Sequence, residues 1–498
     1  MSRFERHDAD QSPTLRADLK ARSKRRRDRL TALASASAAP LRRRNDLVPR
    51  LSIEERAPAE LVVPARNVRR SEAAHTREIA ASIAALGFCN PVLIGRDNLV
   101  IDGVARVEAA KQLGLPRIPC VRIDHLTSAE QRVMRIASNR LAEKGAWSLD
   151  DLKIEFEELI IEEAPIDISG FSGPEIDQIL LGEDAAALEQ GPLAPQPGAT
   201  AVAQQGDVFL LGDHKITAGD ATDPDVFARI MQGADLARLV LTDEPYNVKI
   251  AGHVTGGSHR EFAMASGEMS SPQFLAFNLA WMKAVLAHLA DGGLFGTFID
   301  WRGLPTVQAA ATELGLASIN LIVWGKTNAG MGSLYRSQHE LLPLYKKGKG
   351  DHLNNIDLGR KGRWRSNLWS YPGASSIGSD ARKGLEDHPT VKPTGMLADA
   401  LLDVTARGDI VLDPFLGSGS TVIAAERTGR RCHGVEIDPL YVDVIIRRYQ
   451  AETGREAVLE GTGETFADLA ARRRLEQPDG DRDDDGSVGV ECQARCAR

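Results

Sequence analysis

Short apolar runs alternate with amphipathic segments through most of the chain, as expected where strands alternate with helices. The first strands are predicted at 90–94 and 118–123. The first helices are predicted at 79–86 and 107–113. An acidic amphipathic stretch over 150–182 predicts further helices. Together these patterns predict a small α/β domain over residues 57–183.

A second series of strand patterns follows a segment rich in proline and glycine. Residues 184–205 have no hydrophobic periodicity and are predicted to be a linker. The strands predicted beyond it lie at 208–211, 214–218, 239–242, 293–299, 319–324, 340–345 and 410–412. Continuously apolar strands are typical of a buried parallel sheet. We therefore expect a second α/β domain over residues 206–470.

Composition adds information about the two ends of the chain. The 498 residues have a formal net charge of −8, which alone does not favour a nucleic-acid partner. The charge is uneven, because residues 1–50 form an arginine-rich arm and residues 471–498 an acidic tail. Both ends are predicted to be disordered. Local patches decide phosphate binding, so a DNA partner stays open.

Cysteine usage and hydropathy indicate a compartment. The five cysteines are irregularly spaced, which argues against a disulfide framework and favours the reducing cytoplasm. Cys492 and Cys496 have no histidine or further cysteine nearby, so we expect no metal site. No apolar run approaches the ~18 residues of a membrane span. The sequence predicts a soluble cytoplasmic protein without membrane association.

One strand, turn and helix pattern contains candidate cofactor-binding residues. The strand 410–412 leads through Asp413, Phe415, Gly417 and Gly419 into a helix. The two glycines let the backbone approach a ligand closely, while Glu436, at the end of the next strand, can accept both hydroxyls of a ribose. The run resembles the cofactor loop of the DNA amino-methyltransferases, and this resemblance implies S-adenosylmethionine as cofactor.

A second motif follows the strand 239–242. Asp243, Glu244, Pro245 and Tyr246 resemble the Asp-Pro-Pro-Tyr catalytic motif of the same family, with Glu244 in place of the first proline. The exocyclic amine of a base is a poor nucleophile because its lone pair is delocalised into the ring. A carboxylate and a backbone carbonyl can accept its N–H groups and localise the lone pair, while a tyrosine face can stack on the extruded base. This chemistry requires no metal.

The order of the motifs narrows the resemblance to one group. The run 388–393 resembles the His-Pro-Thr-x-Lys-Pro segment of the permuted, beta-group DNA amino-methyltransferases. That resemblance implies a Rossmann-like sheet with circularly permuted motif order. It also implies that Thr390 and Lys392 lie near the methionine end of the cofactor, with Lys392 at its carboxylate.

The same resemblance implies site-specific methylation of double-stranded DNA at the N6 amine of adenine, because an aspartate at position 243 is the usual mark of adenine in this family. The target-recognition region is expected at 346–387, where cations alternate with aromatic and asparagine side chains. The candidate DNA-binding residues there are Lys346, Lys347, Arg360, Arg363 and Arg365. The family further implies a DNA modification or restriction-modification setting.

The first domain resembles the ParB/sulfiredoxin-like domains. Gly103 and Arg106 match the phosphate-gripping Gly-Glu-Arg-Arg motif of the partition proteins, whereas Val104 and Ala105 depart from it. A nucleotide such as CTP at this domain is therefore an open question, and so is a homodimer. A small module for docking or DNA contact is the preferred interpretation.

Two alternatives to adenine methylation remain open. Methylation at N4 of cytosine would use the same type of amine. A ParB-like DNA-binding scaffold with an inactive methyltransferase domain is the alternative of another class, and Glu244 is the feature that favours it. The loss of proline at position 244 removes backbone rigidity but leaves a carbonyl acceptor in place.

Overall fold

The computed structural model describes residues 24–25, 27–29, 31, 48–65, 73–182, 194–196, 198–247, 267–327, 334–356, 363–372 and 391–476. The chain divides into two compact units, Met1–Gly145 and Ala146–Arg498. The predicted acidic tail, apart from its first residues, and most of the predicted arginine-rich arm lie outside the described residues. No described helix is both long and apolar enough to cross a lipid bilayer.

The first unit is a small α/β fold, as the hydrophobic pattern predicted. Its strands and helices are β1 (Ile53–Arg56), α1 (Ala73–Leu86), β2 (Val92–Ile94), β3 (Val100–Asp102), α2 (Val104–Gln112), β4 (Ile118–Arg122) and α3 (Ser128–Ala142). The strand order is β1-β4-β2-β3, and β2 and β4 are parallel. Val92, Ile94, Val107 and Ile118 are fully buried and form its core.

The second unit begins with two helices and then builds a ten-stranded sheet. Its first half comprises α4 (Leu149–Ile161), α5 (Gly173–Leu181), β5 (Val208–Leu211), β6 (His214–Ala218), α6 (Pro224–Ile230), β7 (Ala237–Asp243), α7 (Ser271–Leu286), β8 (Leu289–Phe298) and α8 (Leu304–Glu313). The second half comprises β9 (Ala317–Lys326), β10 (His339–Lys346), β11 (Leu368–Tyr371), α9 (Thr394–Val404), β12 (Ile410–Asp413), α10 (Ser420–Thr428), β13 (Arg431–Glu436), α11 (Pro439–Thr453), β14 (Val458–Leu459) and α12 (Phe466–Glu476).

The sheet has the order β11-β9-β10-β8-β7-β12-β13-β6-β5-β14. Its five central strands, from β8 to β6, are mutually parallel, so their carboxyl ends meet at one edge. The expectation of a Rossmann-like α/β domain preceded by a small α/β domain is confirmed. Antiparallel strands at both sides of the centre widen the sheet beyond the predicted parallel part.

Alternation along β7 shows how the sheet is covered on both faces. Leu239 and Leu241 belong to the core that includes Leu401 and Ile445 of α9 and α11. Val240 belongs to a second core, with Trp281 of α7. Because successive side chains of a strand point to opposite faces, helices cover both faces of the sheet at β7.

The helices α4 and α5 cluster with the second unit, although the sequence pattern grouped residues 150–182 with the first domain. Asp177 of α5 explains this placement. One of its oxygens lies 2.7 Å from the guanidinium of Arg430, which is buried, and the other lies 2.7 Å from that of Arg407. A buried guanidinium needs a carboxylate nearby, so α5 is part of the structure around Arg430.

Candidate active site

The two predicted motifs meet at the carboxyl edge of the central strands. β7 ends at Asp243, and β12, which pairs with β7 in parallel, ends at Asp413. The hydroxyl of Thr242 donates a 2.6 Å hydrogen bond to Oδ1 of Asp413. The catalytic motif and the glycine-containing turn are therefore joined by a buried contact between residues 171 positions apart.

The turn after β12 is held by carboxylates that accept backbone hydrogen bonds. Asp413 accepts from the amide of Phe415 at 3.0 Å. Glu436 accepts from the amides of Gly417 at 2.8 Å and Asp438 at 2.9 Å, one at each of its oxygens. Each oxygen of Glu436 keeps a second lone pair for another donor. This arrangement fixes the turn and leaves Glu436 able to accept hydroxyl groups.

The turn leaves open space beside Gly417, where a ligand can approach the backbone closely. Gly417 has a φ of 54°, and a Cβ added there would meet no atom within 4 Å. By contrast, a Cβ at Gly434 would lie 2.6 Å from the side chain of Leu416. The Phe415 ring contacts Trp281 edge-on, with ring centroids 5.2 Å apart. Phe415 therefore anchors the turn in the core, while Gly417 leaves room beside it.

Burial changes the acidity of both carboxyl groups at this turn. Desolvation raises the pKa of Asp413 to about 6 and the pKa of Glu436 to about 7, although their hydrogen bonds act in the opposite direction. Near neutral pH the Glu436 carboxyl is therefore divided between its protonated and ionised forms.

Two residues of the 243–246 motif, Asp243 and Tyr246, belong to a cluster of five charged or hydroxylated side chains. The ammonium of Lys392 lies 2.5 Å from Oδ2 of Asp243 and 3.1 Å from Oε2 of Glu340. The hydroxyl of Tyr246 lies 2.9 Å from Oδ1 of Asp243 and 2.9 Å from the same oxygen of Glu340. Lys326 forms an ion pair with the other Glu340 oxygen. Asp243 is thus held at both oxygens, by an ammonium and by a hydroxyl.

Charge pairing sets the protonation of this cluster. Burial opposes ionisation of Glu340, but Lys392 and Lys326 outweigh it and lower the pKa of Glu340 to about 2. Burial likewise opposes the charge of Lys392, yet Asp243 and Glu340 raise the pKa of its ammonium. Burial raises the pKa of Asp243, and Glu340 adds to this, while Lys392 counteracts both. Lys392 is therefore the cation that favours an ionised Asp243.

Glu244, the departure from the family motif, does not point to solvent. Its residue is only 1% exposed, and the polar groups that face its carboxyl belong to Trp281 and Thr297. Burial raises the pKa of Glu244 well above its ordinary value. Burial of this carboxyl away from a cation therefore favours its neutral form. Pro245 follows it and leads to Tyr246.

Several cations predicted to bind DNA have internal partners. Arg363, 6% exposed, bonds to Asp403 and Asp399 of α9. Arg365 bonds to Asp403 at 3.0 Å and to the hydroxyl of Tyr371 at 2.7 Å. Lys347 donates to two backbone carbonyls at the end of α7 and the start of β8, both at 2.6 Å. These three side chains make internal contacts, and their predicted contacts with DNA stay predictions.

The remaining predicted residues have different outcomes. Lys346 donates to the carbonyl of Gly350 at 2.9 Å and keeps a partly exposed side chain. Thr390 and Arg360 lie outside the described residues. Lys392 lies 2.5 Å from Oδ2 of Asp243, and its predicted place at the methionine end of a cofactor stays a prediction. Glu340 and Lys326 were missed, although an acid at the start of the apolar run 341–345 was a signal that could have revealed Glu340.

In the first unit, the predicted nucleotide motif forms an internal ion pair. Gly103 has a φ of 100° and precedes α2. Arg106 lies 2.8 Å from Oδ2 of Asp102, and a Cβ at Gly103 would lie 2.8 Å from the Arg106 guanidinium. Glycine at position 103 thus makes room for Arg106, and nucleotide binding at this turn stays a prediction.

Comparison with known proteins finds similarity to DNA methylases. The family model described as DNA methylase, for the N6/N4 group, matches residues 237–447. The chain is 27% identical over 226 residues to the type II methyltransferase M2.DpnII of Streptococcus pneumoniae, covering 43% of this chain and 82% of that protein.

Two solved structures resemble separate parts of the chain. The complex of M1.HpyAVI with SAM is 20% identical and covers 47% of this chain and 97% of that one, with a TM-score of 0.35. The truncated chromosome-partitioning protein ParB of Caulobacter crescentus, complexed with CTP-γ-S, is 16% identical, with a TM-score of 0.24. It covers 27% of this chain and 82% of that one.

Proposed function

Residues 237–447 form a DNA methylase domain of the N6/N4 family, and from this premise we propose that the protein transfers a methyl group from S-adenosylmethionine to the N6 amine of adenine in double-stranded DNA. The observation that supports this most directly is the buried hydrogen bond of 2.6 Å between Thr242 and Asp413. It joins the strand that ends at the catalytic Asp243 to the strand that begins the Gly417 turn. An acceptor for the amine and a cradle for the methyl donor thus share one edge.

The turn after β12 fits the cofactor. S-adenosylmethionine supplies, when bound, a methyl group on a positively charged sulfur that is already a good leaving group. Glu436 would accept the ribose hydroxyls, since its oxygens retain lone pairs beyond their backbone donors. Gly417 leaves open space at the turn, and Asp413 holds the turn in shape.

Asp243 and the carbonyl of residue 244 would accept the two N–H groups of the target amine. Lys392 favours the ionised form of Asp243, which is the form that accepts. The amine gains a methyl group and loses one proton, which Asp243 can receive. Tyr246 donates toward a carboxylate oxygen of Asp243 and of Glu340, each at 2.9 Å, and so orients the carboxylate that receives the proton. The half-buried Tyr246 ring is the candidate stacking face for the base.

Adenine is proposed because the motif begins with Asp243, and N4 of cytosine is the competing target. Incubation with methyl-labelled S-adenosylmethionine and unmodified plasmid DNA, followed by mass spectrometry of nucleosides, distinguishes them. Methyladenine is the expected product. Methylcytosine would leave the mechanism standing with another base. Absence of label, despite demonstrated cofactor binding, would contradict methyl transfer and favour a scaffold.

Partner and compartment follow from this activity. The substrate is double-stranded DNA, and we place the protein in the cytoplasm, where DNA and reduced thiols occur together. Cys89, Cys120 and Cys432 are free thiols in the described part of the chain. A homodimer and a nucleotide at the first unit stay predictions.

A further inference from the structure

The catalytic edge of the second unit carries exposed aromatic and cationic side chains that the proposed chemistry does not use. Trp301 is 58% exposed and follows β8, and Tyr335 is 82% exposed and precedes β10. Leu334 beside it is 85% exposed. Large apolar side chains at neighbouring exposed positions indicate a contact surface more often than isolated ones do. We call residues 301, 302 and 334–336 the aromatic rim.

Strand register locates Trp301 near the catalytic carboxylate. Asp243 at the end of β7 pairs with Phe298 at the end of β8. The next residue, Ile299, exchanges 2.9 Å backbone hydrogen bonds with Leu341. Trp301 comes two residues later, and two residues span at most about 7 Å. Trp301 therefore stands just beyond the edge at which Asp243 lies.

Register also locates the second part of the rim. Glu340, the second residue of β10, lies 2.9 Å from the hydroxyl of Tyr246. Tyr335 precedes His339, the first residue of β10, by four positions, which span at most about 14 Å. The two exposed aromatic side chains thus lie on chain segments that leave the sheet on the same side as the catalytic cluster.

Two arginines beside the exposed aromatic side chains indicate what kind of partner the rim can bind. The guanidinium of Arg302 lies 5.3 Å from the centre of the Trp301 ring, and Arg336 is exposed next to Tyr335. The acid paired with Arg302 is Asp300, at 3.6 Å. Aromatic faces that stack on bases, combined with arginines that meet phosphates, are the usual features of nucleic-acid contact. The rim is therefore complementary to a nucleic-acid strand.

We propose that the aromatic rim receives the DNA beside the extruded target base, with Trp301 stacking on a neighbouring base and Arg302 and Arg336 contacting phosphates. This inference rests on the proposed methyl transfer to DNA. It assigns the contact to a surface other than 346–387, where the described arginines Arg363 and Arg365 are bonded to acids of α9.

Trp301→Ala tests the stacking contact. Binding of a fluorescent 30-base-pair duplex is measured by anisotropy, and steady-state methylation of unmodified plasmid DNA is measured in parallel. We expect the Kd for duplex and the KM for DNA to rise on the order of tenfold, with the KM for S-adenosylmethionine unchanged. Trp147→Ala is the matched control, because this tryptophan is 69% exposed elsewhere in the same unit.

Arg302→Gln and Arg336→Gln test the phosphate contacts. Each should lower the salt dependence of duplex binding by about one unit of slope in a plot of log K against log salt. Arg238→Gln is the control, since Arg238 is exposed at the opposite end of β7. A slope unchanged in both rim variants would overturn the phosphate assignment.

Three outcomes would overturn the rim itself. Duplex affinity unchanged in Trp301→Ala, with an active parent protein, would exclude stacking there. Loss of affinity in Trp364→Ala instead would move the contact to the segment 363–372. Conversion of a dimer to a monomer by Trp301→Ala, at unchanged DNA affinity, would make the rim a protein contact. If the parent protein bound duplex DNA but transferred no methyl group, the proposed methyl transfer would be contradicted. The effect of the variants on duplex affinity would still test the aromatic rim.

Discussion

Glu340 shows how one side chain can organise a site from a neighbouring strand. Its carboxylate forms ion pairs with Lys326 and Lys392 and accepts a hydrogen bond from the hydroxyl of Tyr246. Lys392 also bonds to Asp243 and so links the two acids. It does not need to touch the base to affect the reaction. Its charge acts on the protonation of Asp243, and its hydrogen bonds act on the orientation of Tyr246 and Lys392.

Glu340→Gln should lower kcat between about tenfold and a hundredfold, because Lys392 and Tyr246 lose the partner that orients them. The negative charge of Glu340 raises the pKa of Asp243, so its removal should shift the acid limb of the pH–rate profile to lower pH. Methylation rates from pH 5 to 9 measure both effects. Glu313→Gln, on an exposed face of α8, is the control. A lowered rate with an unmoved acid limb would assign Glu340 a purely structural role.

Asp243→Asn should reduce methyl transfer by about a hundredfold or more, because the amide cannot receive a proton and accepts more weakly. Cofactor binding should remain nearly intact, since Asp243 lies on the strand beside the Gly417 turn and not in it. Calorimetric titration with S-adenosylmethionine and the methylation assay separate the two effects. Joint loss of both would indicate misfolding, which circular dichroism would reveal.

Glu244→Gln should stabilise the protein increasingly as pH rises. The unfolded carboxyl ionises near its ordinary pKa of 4.5, whereas the folded one, with a raised pKa, stays protonated. Stability from this group is therefore complete below pH 4.5 and is lost as pH rises toward the folded pKa, by about 1.4 kcal/mol per pH unit. A neutral glutamine avoids that loss. Thermal melts at pH 5, 6, 7 and 8 should show a growing advantage, and a constant difference would contradict a buried neutral acid.

Among the elements, the turn between β12 and α10 and the end of β13 act together. Glu436 closes the turn by accepting the amide of Gly417. Both halves come from separate strands, yet parallel pairing of Asp413 with Gly434 brings them side by side. The chain order of strand, glycine turn, helix and strand was enough to predict this arrangement, because parallel neighbours joined by a helix must end at the same edge.

The affinity for S-adenosylmethionine should increase between pH 6 and pH 8. Burial raises the pKa of Glu436 to about 7, so about a tenth of it is ionised at pH 6 and about nine tenths at pH 8. Ribose hydroxyls bond more strongly to the ionised acceptor than to the neutral one, so the Kd should fall by up to about tenfold across this range. Isothermal titration at each pH measures it. Glu436→Gln should bind more weakly with a flatter pH response, and an unaltered response would exclude Glu436 as the titrating group.

In the whole molecule, the boundary between the compact units precedes α4. A chain starting at residue 146 should keep the melting temperature of the methylase unit. A chain starting at residue 198 should melt lower, because the buried guanidinium of Arg430 loses the carboxylate of Asp177. Breaking a buried pair on one side costs about 3–5 kcal/mol.

Asp177→Asn in the full chain isolates the charge from the loss of the two helices. The control Asp167→Asn removes an exposed acid from the connection between α4 and α5. Calorimetric melts should show destabilisation for the first variant alone. Equal stability of the 146 and 198 chains would instead support the boundary at the linker 184–205.

Local pattern and motif order determined much of this protein from its sequence. They determined two α/β units, the parallel centre of the large sheet, and the resemblance to DNA methylases, which the family match over residues 237–447 confirms. These features depend on backbone geometry and on residues close together in the chain, which a sequence displays directly. Gly417 and Asp243 were identifiable because their strand ends predict where they lie.

Only the tertiary structure decided which side chains meet across long separations in the chain. Lys392 reaches Asp243 from 149 positions away, and Asp177 reaches Arg430 from 253 positions away. A sequence does not show whether a charged side chain faces water or a buried partner. Folding decides between these states, because a buried charge is tolerated only where a partner of opposite charge is brought to it. For that reason Arg363 became part of an internal ion pair and Glu340 became part of the cluster around Asp243.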